Sequence, residues 1–176
     1  MSIASALRAY AWNLAYAEAL TRDLTEAQWT WDGGPGLENH AAWTIGHLVS
    51  GSDILAEDLG LAREMSQEWR ELFERRGPGD PRLPSRDARY PDGSELLAEF
   101  ARQHDRVARR WRDLAPDDGD APLAWRFEGY LPSLADAALF LAVNHECLHL
   151  GSLSGWRRAQ GLPSALAAMS RGPATP

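Results

Sequence analysis

The sequence predicts an all-α protein, a four-helix bundle with a long crossover between its second and third helices. Three observations carry this. Four long stretches bear apolar residues at intervals of three and four, the period of a helix. Each is bounded by signals that start and stop helices. No stretch alternates convincingly as a strand does, and no internal repeat divides the chain. The 176 residues are 44% hydrophobic and 24% charged, an ordinary globular mix long enough for one core. One domain over residues 1–163 is expected, followed by a tail, 164–176, that is small, polar and prone to fray.

The first helix is expected from Ser2 to about Asp23, with Ile3, Leu7, Tyr10, Leu14 and Ala17 on one side and Ser2 as its cap. Thr25-Glu26-Ala27-Gln28 has the form of a capping box for a single turn. Gly33, Gly34, Pro35 and Gly36 make the next stretch a loop. The second helix runs from near Asn39 to about Leu59, where Gly60 stops it. Ala41, Thr44, Leu48, Leu55 and Leu59 form its buried stripe, with His47 beside it. A short helix, Ser66 to Arg76, precedes Gly77-Pro78-Gly79, and the residues up to Pro91 read as a surface crossover. The third helix, Ser94 to about Leu114, carries Leu97, Phe100, His104, Val107, Trp111 and Leu114 as a core stripe. Pro116 to Ser133 is irregular, with a short extended piece between Leu123 and Tyr130. The fourth and longest helix, Leu134 to Gln160, opens on a capping box of Ser133 with Asp136 and closes on Gly161 and Pro163. Its stripe reads Leu134, Ala138, Leu141, His145, Leu148 and Ser152.

Composition narrows the function. Net charge is −7 and every basic residue is an arginine, without a basic run, which argues against nucleic acid as a partner. No apolar run approaches the ~20 residues of a membrane span. The first residues lack the basic and apolar blocks of a signal peptide. A single cysteine excludes an internal disulfide framework and suits a cytoplasmic setting. Eight tryptophans suggest large aromatic walls in the core or around a cavity.

The chemistry centres on Asn144-His145-Glu146-Cys147-Leu148-His149. Two histidines four apart stack on one helix face and suit a shared metal ion. The letters spell H-E-x-x-H, the zinc-protease pattern, but no Asp, Glu or His follows His149, so the third ligand must lie upstream. His47 on the second helix is the first candidate, since bundle neighbours have axes about 8–10 Å apart. His104 on the core stripe of the third helix is a candidate fourth ligand, and a hydrogen-bonded core residue is the favoured reading; it is next in line as third partner only if His47 is not a ligand. Three ordinary core histidines are the competing reading, but three buried imidazoles need many partners, whereas one ion satisfies a nitrogen on each. Glu146 is a candidate base for metal-activated water, or a partner for an imidazole or an arginine. Cys147 reads as a small buried hydrophobe, and His40 as a surface residue too far along the helix to join the ion. Arg157 and Arg158 suit the C-terminal end of the fourth helix, or hold an anionic thiol cofactor.

Two segments carry a family resemblance. Trp43-Thr44-Ile45-Gly46-His47-Leu48 is similar to the W-x-x-G-H-L pattern of DinB-like proteins, and His145-x-x-x-His149-x-Gly151 to their fourth-helix pattern. Where that pattern often has Gln, Ser152 stands here. The resemblance implies a four-helix bundle, often a homodimer, with a divalent ion (zinc, nickel, iron or manganese) on His47, His145 and His149. Some relatives are thiol S-transferases or isomerases that use a low-molecular-weight thiol such as bacillithiol or mycothiol. The expected function is therefore a metal-dependent thiol transferase acting on a small-molecule substrate held among Trp43, Trp156 and second-helix residues. The alternatives are a metal-dependent hydrolase with Glu146 as base, and a metal-binding protein without catalysis.

Overall fold

The structure is a computed structural model that describes residues 2–74, 84 and 88–170. In chain order it contains α1 (Ile3–Thr21), α2 (Glu26–Trp29), α3 (Ala41–Asp58), α4 (Gln67–Phe73), α5 (Gly93–Arg112), α6 (Pro116–Gly119), α7 (Leu134–Leu139), a π-helical stretch (Phe140–His145), α8 (Glu146–Ala159) and α9 (Ala165–Ser170). α7, the π stretch and α8 run on as one long helix. With α1, α3 and α5 it makes a four-helix bundle: α3 packs on α5, α1 on α5 and α8, and α8 on α3. Among the described residues no strand forms; Pro122 and Ser133 meet only as an isolated bridge.

The caps do what their residue types dictate. Ser2 Oγ accepts from the Ser5 amide at 3.2 Å. Ser133 and Asp136 bond reciprocally across the start of α7. Gly60, at φ 85°, adopts the left-handed turn that ends α3 and that a side chain would resist. His40 corrects the sequence reading. It is not at the surface but 5% exposed, because its Nδ1 caps α3 by accepting from the Trp43 amide at 3.2 Å. The expected helix to Arg76 ends as α4 at Phe73; residues 75 and 76 lie outside the described set. The tail also differs. Residues Ala165–Ser170 form α9 against α1, with Ala165 buried, while 171–176 lie outside the described residues. Arg157 holds that end in place through Nη2, which donates to the Pro163 carbonyl at 3.0 Å.

The core is two apolar clusters with a polar level between them. One gathers Leu20, Trp43, Phe73, Phe100, Leu153 and Trp156; the other gathers Tyr10, Leu55, Val107, Trp111 and Ala138. Every bundle helix turns polar where it passes from one cluster to the other: Asn13 on α1, Ser50 to Asp53 on α3, Gln103 and His104 on α5, His145 and Glu146 on the fourth. Tyr10 and Ser52 hydroxyls meet there at 3.1 Å. The order of clusters also sets directions. α1 and the long fourth helix run from the Tyr10 cluster to the Trp43 cluster, while α3 and α5 run the other way.

The sequence spacing predicts one regular helix from Leu134 to Gln160, and the π stretch departs from it. Its wider turn breaks the usual bonding between turns, and such bulges gather at functional sites. Asn13 answers for two of its carbonyls: Nδ2 donates to Ala142 O at 3.1 Å and to Val143 O at 3.3 Å. A side chain on another helix thus stabilises the irregularity that carries His145, the first of the histidine pair.

Candidate metal centre

The three histidines expected as ligands come together. Ring nitrogens of His47, His145 and His149 lie within 4.8 Å of one another, close to the about 3–4 Å that nitrogens on one ion require. Ring centroids are 5.2 Å apart for His47 and His145, 4.7 Å for His47 and His149, and 4.6 Å for His145 and His149. α3 supplies the first ring; the first turn of α8 and the residue just before it supply the pair, one helical turn apart.

The shell behind His47 is built by α4. The Phe73 carbonyl, which only accepts, lies 2.9 Å from His47 Nδ1 and so holds the proton on that nitrogen. The ring then carries its lone pair on Nε2, the arrangement of a ligand imidazole. Trp43 stacks on the ring at 4.7 Å and 11°. Gly46 is what lets Phe73 approach: a Cβ there would meet the Phe73 ring at 2.2 Å. Behind α4, buried Asp53 takes Arg63 Nε and the Glu64 amide at 2.8 Å each, and Arg63 reaches on to Glu74 at 2.9 Å. Burial alone would raise Asp53, but these donors outweigh it and hold the carboxyl below its ordinary range. The glycine and the phenylalanine carbonyl together set one histidine ring.

His145 is the most informative of the three candidate ligands. It is 9% exposed, and its Nδ1 is buried without a hydrogen-bond partner. Burial, and then the charges of His47 and Arg126, push it down to about 3, so the imidazole is neutral at ordinary pH. A neutral imidazole keeps one lone pair, and a ring buried beside two more, with no partner in the polypeptide at Nδ1, fits a divalent ion. The three rings open onto a cavity of about 620 Å³.

The other expected site residues lie elsewhere. Glu146 points into the core, where its Oε1 is 2.9 Å from His104 Nε2, and it does not line the cavity. Burial raises Glu146 well above the carboxylate range and lowers His104 to about 3, so the two share their proton as an uncharged pair. His104 is therefore the hydrogen-bonded core residue rather than a fourth ligand. It is stacked on Tyr10 at 3.7 Å and edged by Phe100 at 4.3 Å. Arg157 is buried and structural, taking Leu20 O and Asp23 Oδ1 at 2.7 Å each, and Arg158 is exposed; neither lines the cavity. Cys147 is exposed rather than buried, with its thiol donating to Asn13 Oδ1 at 3.3 Å.

The aromatic wall also differs from expectation. Trp156 is fully buried and donates from Nε1 to Trp31 O at 3.0 Å, and Trp43 backs His47; neither lines the cavity. The wall is Trp125 and Phe127, from the loop before α7, with Phe140 at the start of the π stretch. The available signal was three aromatics, Trp125, Phe127 and Tyr130, crowded into a stretch with no helix to bury them.

The sequence pattern of the DinB superfamily matches residues 9–153. No curated protein matches the chain.

Proposed function

The chain belongs to the DinB superfamily, and we propose that it holds one divalent ion on His47, His145 and His149 and works as a metal-dependent transferase of a low-molecular-weight thiol. The unpartnered Nδ1 of buried His145, beside two more imidazoles, carries the metal reading. When bound, such an ion supplies a Lewis acid that favours thiolate over thiol at neutral pH. The residues of the chain do the rest. His47 is locked in its ligand tautomer by Phe73, and Trp125, Phe127 and Phe140 wall a cavity large enough for a small organic electrophile. The thiolate sulfur forms a bond to the electrophilic carbon, the leaving group departs with the bonding pair, and the thiol proton passes to solvent.

The transferase reading is favoured over a hydrolase by where the carboxylates are. A hydrolase needs a base facing the cavity. Glu146 is turned onto His104; of the described carboxylates that line the cavity, Glu74 is held by Arg63 and Asp58 lies about 16 Å along α3 from His47. Metal analysis of the purified protein, followed by assays of thiol conjugation and of ester or amide hydrolysis, separates the readings. Substoichiometric metal after purification with added zinc, nickel, iron or manganese would end both. Hydrolysis without thiol dependence would replace the transferase with the hydrolase.

We place the protein in solution in the cytoplasm as a homodimer. No described helix is long and apolar enough to cross a membrane. Trp12, 50% exposed on α1, and Leu148, 68% exposed on the neighbouring α8, leave apolar surface that a second copy would cover. Light scattering that returns 19.5 kDa at micromolar concentration would exclude the dimer.

A further inference from the structure

The loop of residues 121–133 is a built wall. Its ends are tied where the Leu134 amide donates to Ala121 O at 2.9 Å and the Leu123 amide to Pro132 O at 3.0 Å. Inside it the Tyr130 and Leu131 amides both donate to Phe127 O at 2.9 Å, and Trp125 Nε1 donates to Leu131 O at 2.6 Å. Its backbone groups are satisfied largely within the loop, which fixes its side chains against the cavity. The rings of Trp125, Phe127 and Phe140 meet pairwise edge to face, with centroids 5.3, 5.6 and 5.1 Å apart. This is a rigid aromatic surface facing the histidines.

Arg126 sits between the two loop aromatics and lines the same cavity. Its guanidinium carbon lies 4.6 Å over the Phe127 ring, which orients the group at the cost of little charge. Among the described residues no carboxylate pairs with it. Neither of the two described carboxylates that line the cavity pairs with Arg126. Glu74 is bridged to Arg63 at 2.9 Å. Asp58 lies eleven residues beyond His47 on α3, about 16 Å along its axis, and burial pushes it up to about 6.

We propose that Arg126 and this ring wall select the substrate, an organic anion in which a carboxylate is joined to a planar apolar group. The carboxylate pairs with the guanidinium fork, whose geometry matches two oxygens. The planar part lies on Trp125, Phe127 and Phe140, with its reactive end toward the histidines. The inference rests on the reading of this cavity as the substrate site, and names what the site accepts.

Calorimetry on the full chain, with and without bound divalent metal, tests it with 1-naphthoate, 1-naphthamide and 1-naphthylmethylamine. These share one planar group and differ in charge. In metal-free protein naphthoate is expected to bind at least about tenfold tighter than the amide. Arg126→Gln, an exposed position, should bring the two within about twofold, while Arg158→Gln, also exposed and away from the cavity, should leave the preference intact. Equal binding of acid and amide, tighter binding of the amine, failure of all three to bind, or a preference that survives Arg126→Gln would each overturn the proposal. The metal-free arm keeps the two readings apart: an acid preference that persists in a protein unable to hold metal sinks the metal centre and leaves the anion site standing.

Discussion

His104 and His145 are both buried imidazoles, both pushed down to about 3 first by burial, and both lie at the polar level between the two apolar clusters. They differ in what answers them. His104 has a carboxyl at 2.9 Å, Tyr10 stacked on one face and Phe100 at its edge. His145 has an unpartnered Nδ1, two more imidazoles and an open cavity. A structural histidine brings its partner from within the chain. A histidine placed as His145 is desolvated just as thoroughly but finds no partner for Nδ1 within the chain, which is what a metal ligand would require.

The sharpest way to break this contrast is to remove each ring in turn. Ala at His47, His145 or His149 should weaken metal binding by at least about a hundredfold, more than loss of an outer-shell partner does. His104→Leu should keep full stoichiometry. Metal content after dialysis reads the difference, and full retention by His47→Ala would separate α3 from the site. Next in size is the closed pair. In metal-free protein Glu146→Leu or His104→Leu alone should cost about 2 kcal/mol, because a buried polar group loses its partner. The double replacement should cost less than the sum of the two. Urea unfolding of the three variants that shows simple additivity would mean the two residues do not act as a unit.

Gly46→Ala tests the shell rather than a ligand. The new Cβ collides with Phe73, so a loss of about 1–3 kcal/mol is expected, together with weaker metal binding as the Phe73 carbonyl leaves His47. Unchanged affinity in a destabilised variant would show that His47 does not depend on that carbonyl. The smallest expected effect concerns His40, a third buried histidine with its own partner. Burial lowers it to about 4, so the folded state binds fewer protons than the unfolded state, whose value is about 6.5. Its contribution is complete above that value and shrinks as pH falls toward 4, by about 1 kcal/mol between pH 6.5 and 5.5. His40→Asn keeps a cap acceptor without the titration. Its unfolding free energy in metal-free protein should fall less over that interval than that of the parent.

Much of this molecule was legible in the sequence alone. Period, caps and glycine stops determined the four long helices to within a few residues, and the i,i+4 pair with a distant His47 marked the three rings that the fold brings together. The rotational setting of the fourth helix was not legible. Its buried line runs through Ala142, Glu146, Leu150, Leu153 and Arg157, while Leu148, taken for core, is 68% exposed. A pattern reading places charged residues outside. Here they are inside because each meets a partner from another helix or beyond its end, Glu146 with His104 and Arg157 with Asp23, at sequence separations of 42 and 134. The loop wall and the π stretch escaped for the same reason. Trp125 and Phe127 face the histidines because their loop closes on itself beside Phe140, and the wide turn persists because Asn13 reaches across from α1 to its carbonyls. Local periodicity is written into neighbouring residues and can be read there. Which polar groups are buried depends on partners far away in the chain, so only the packed bundle decides it.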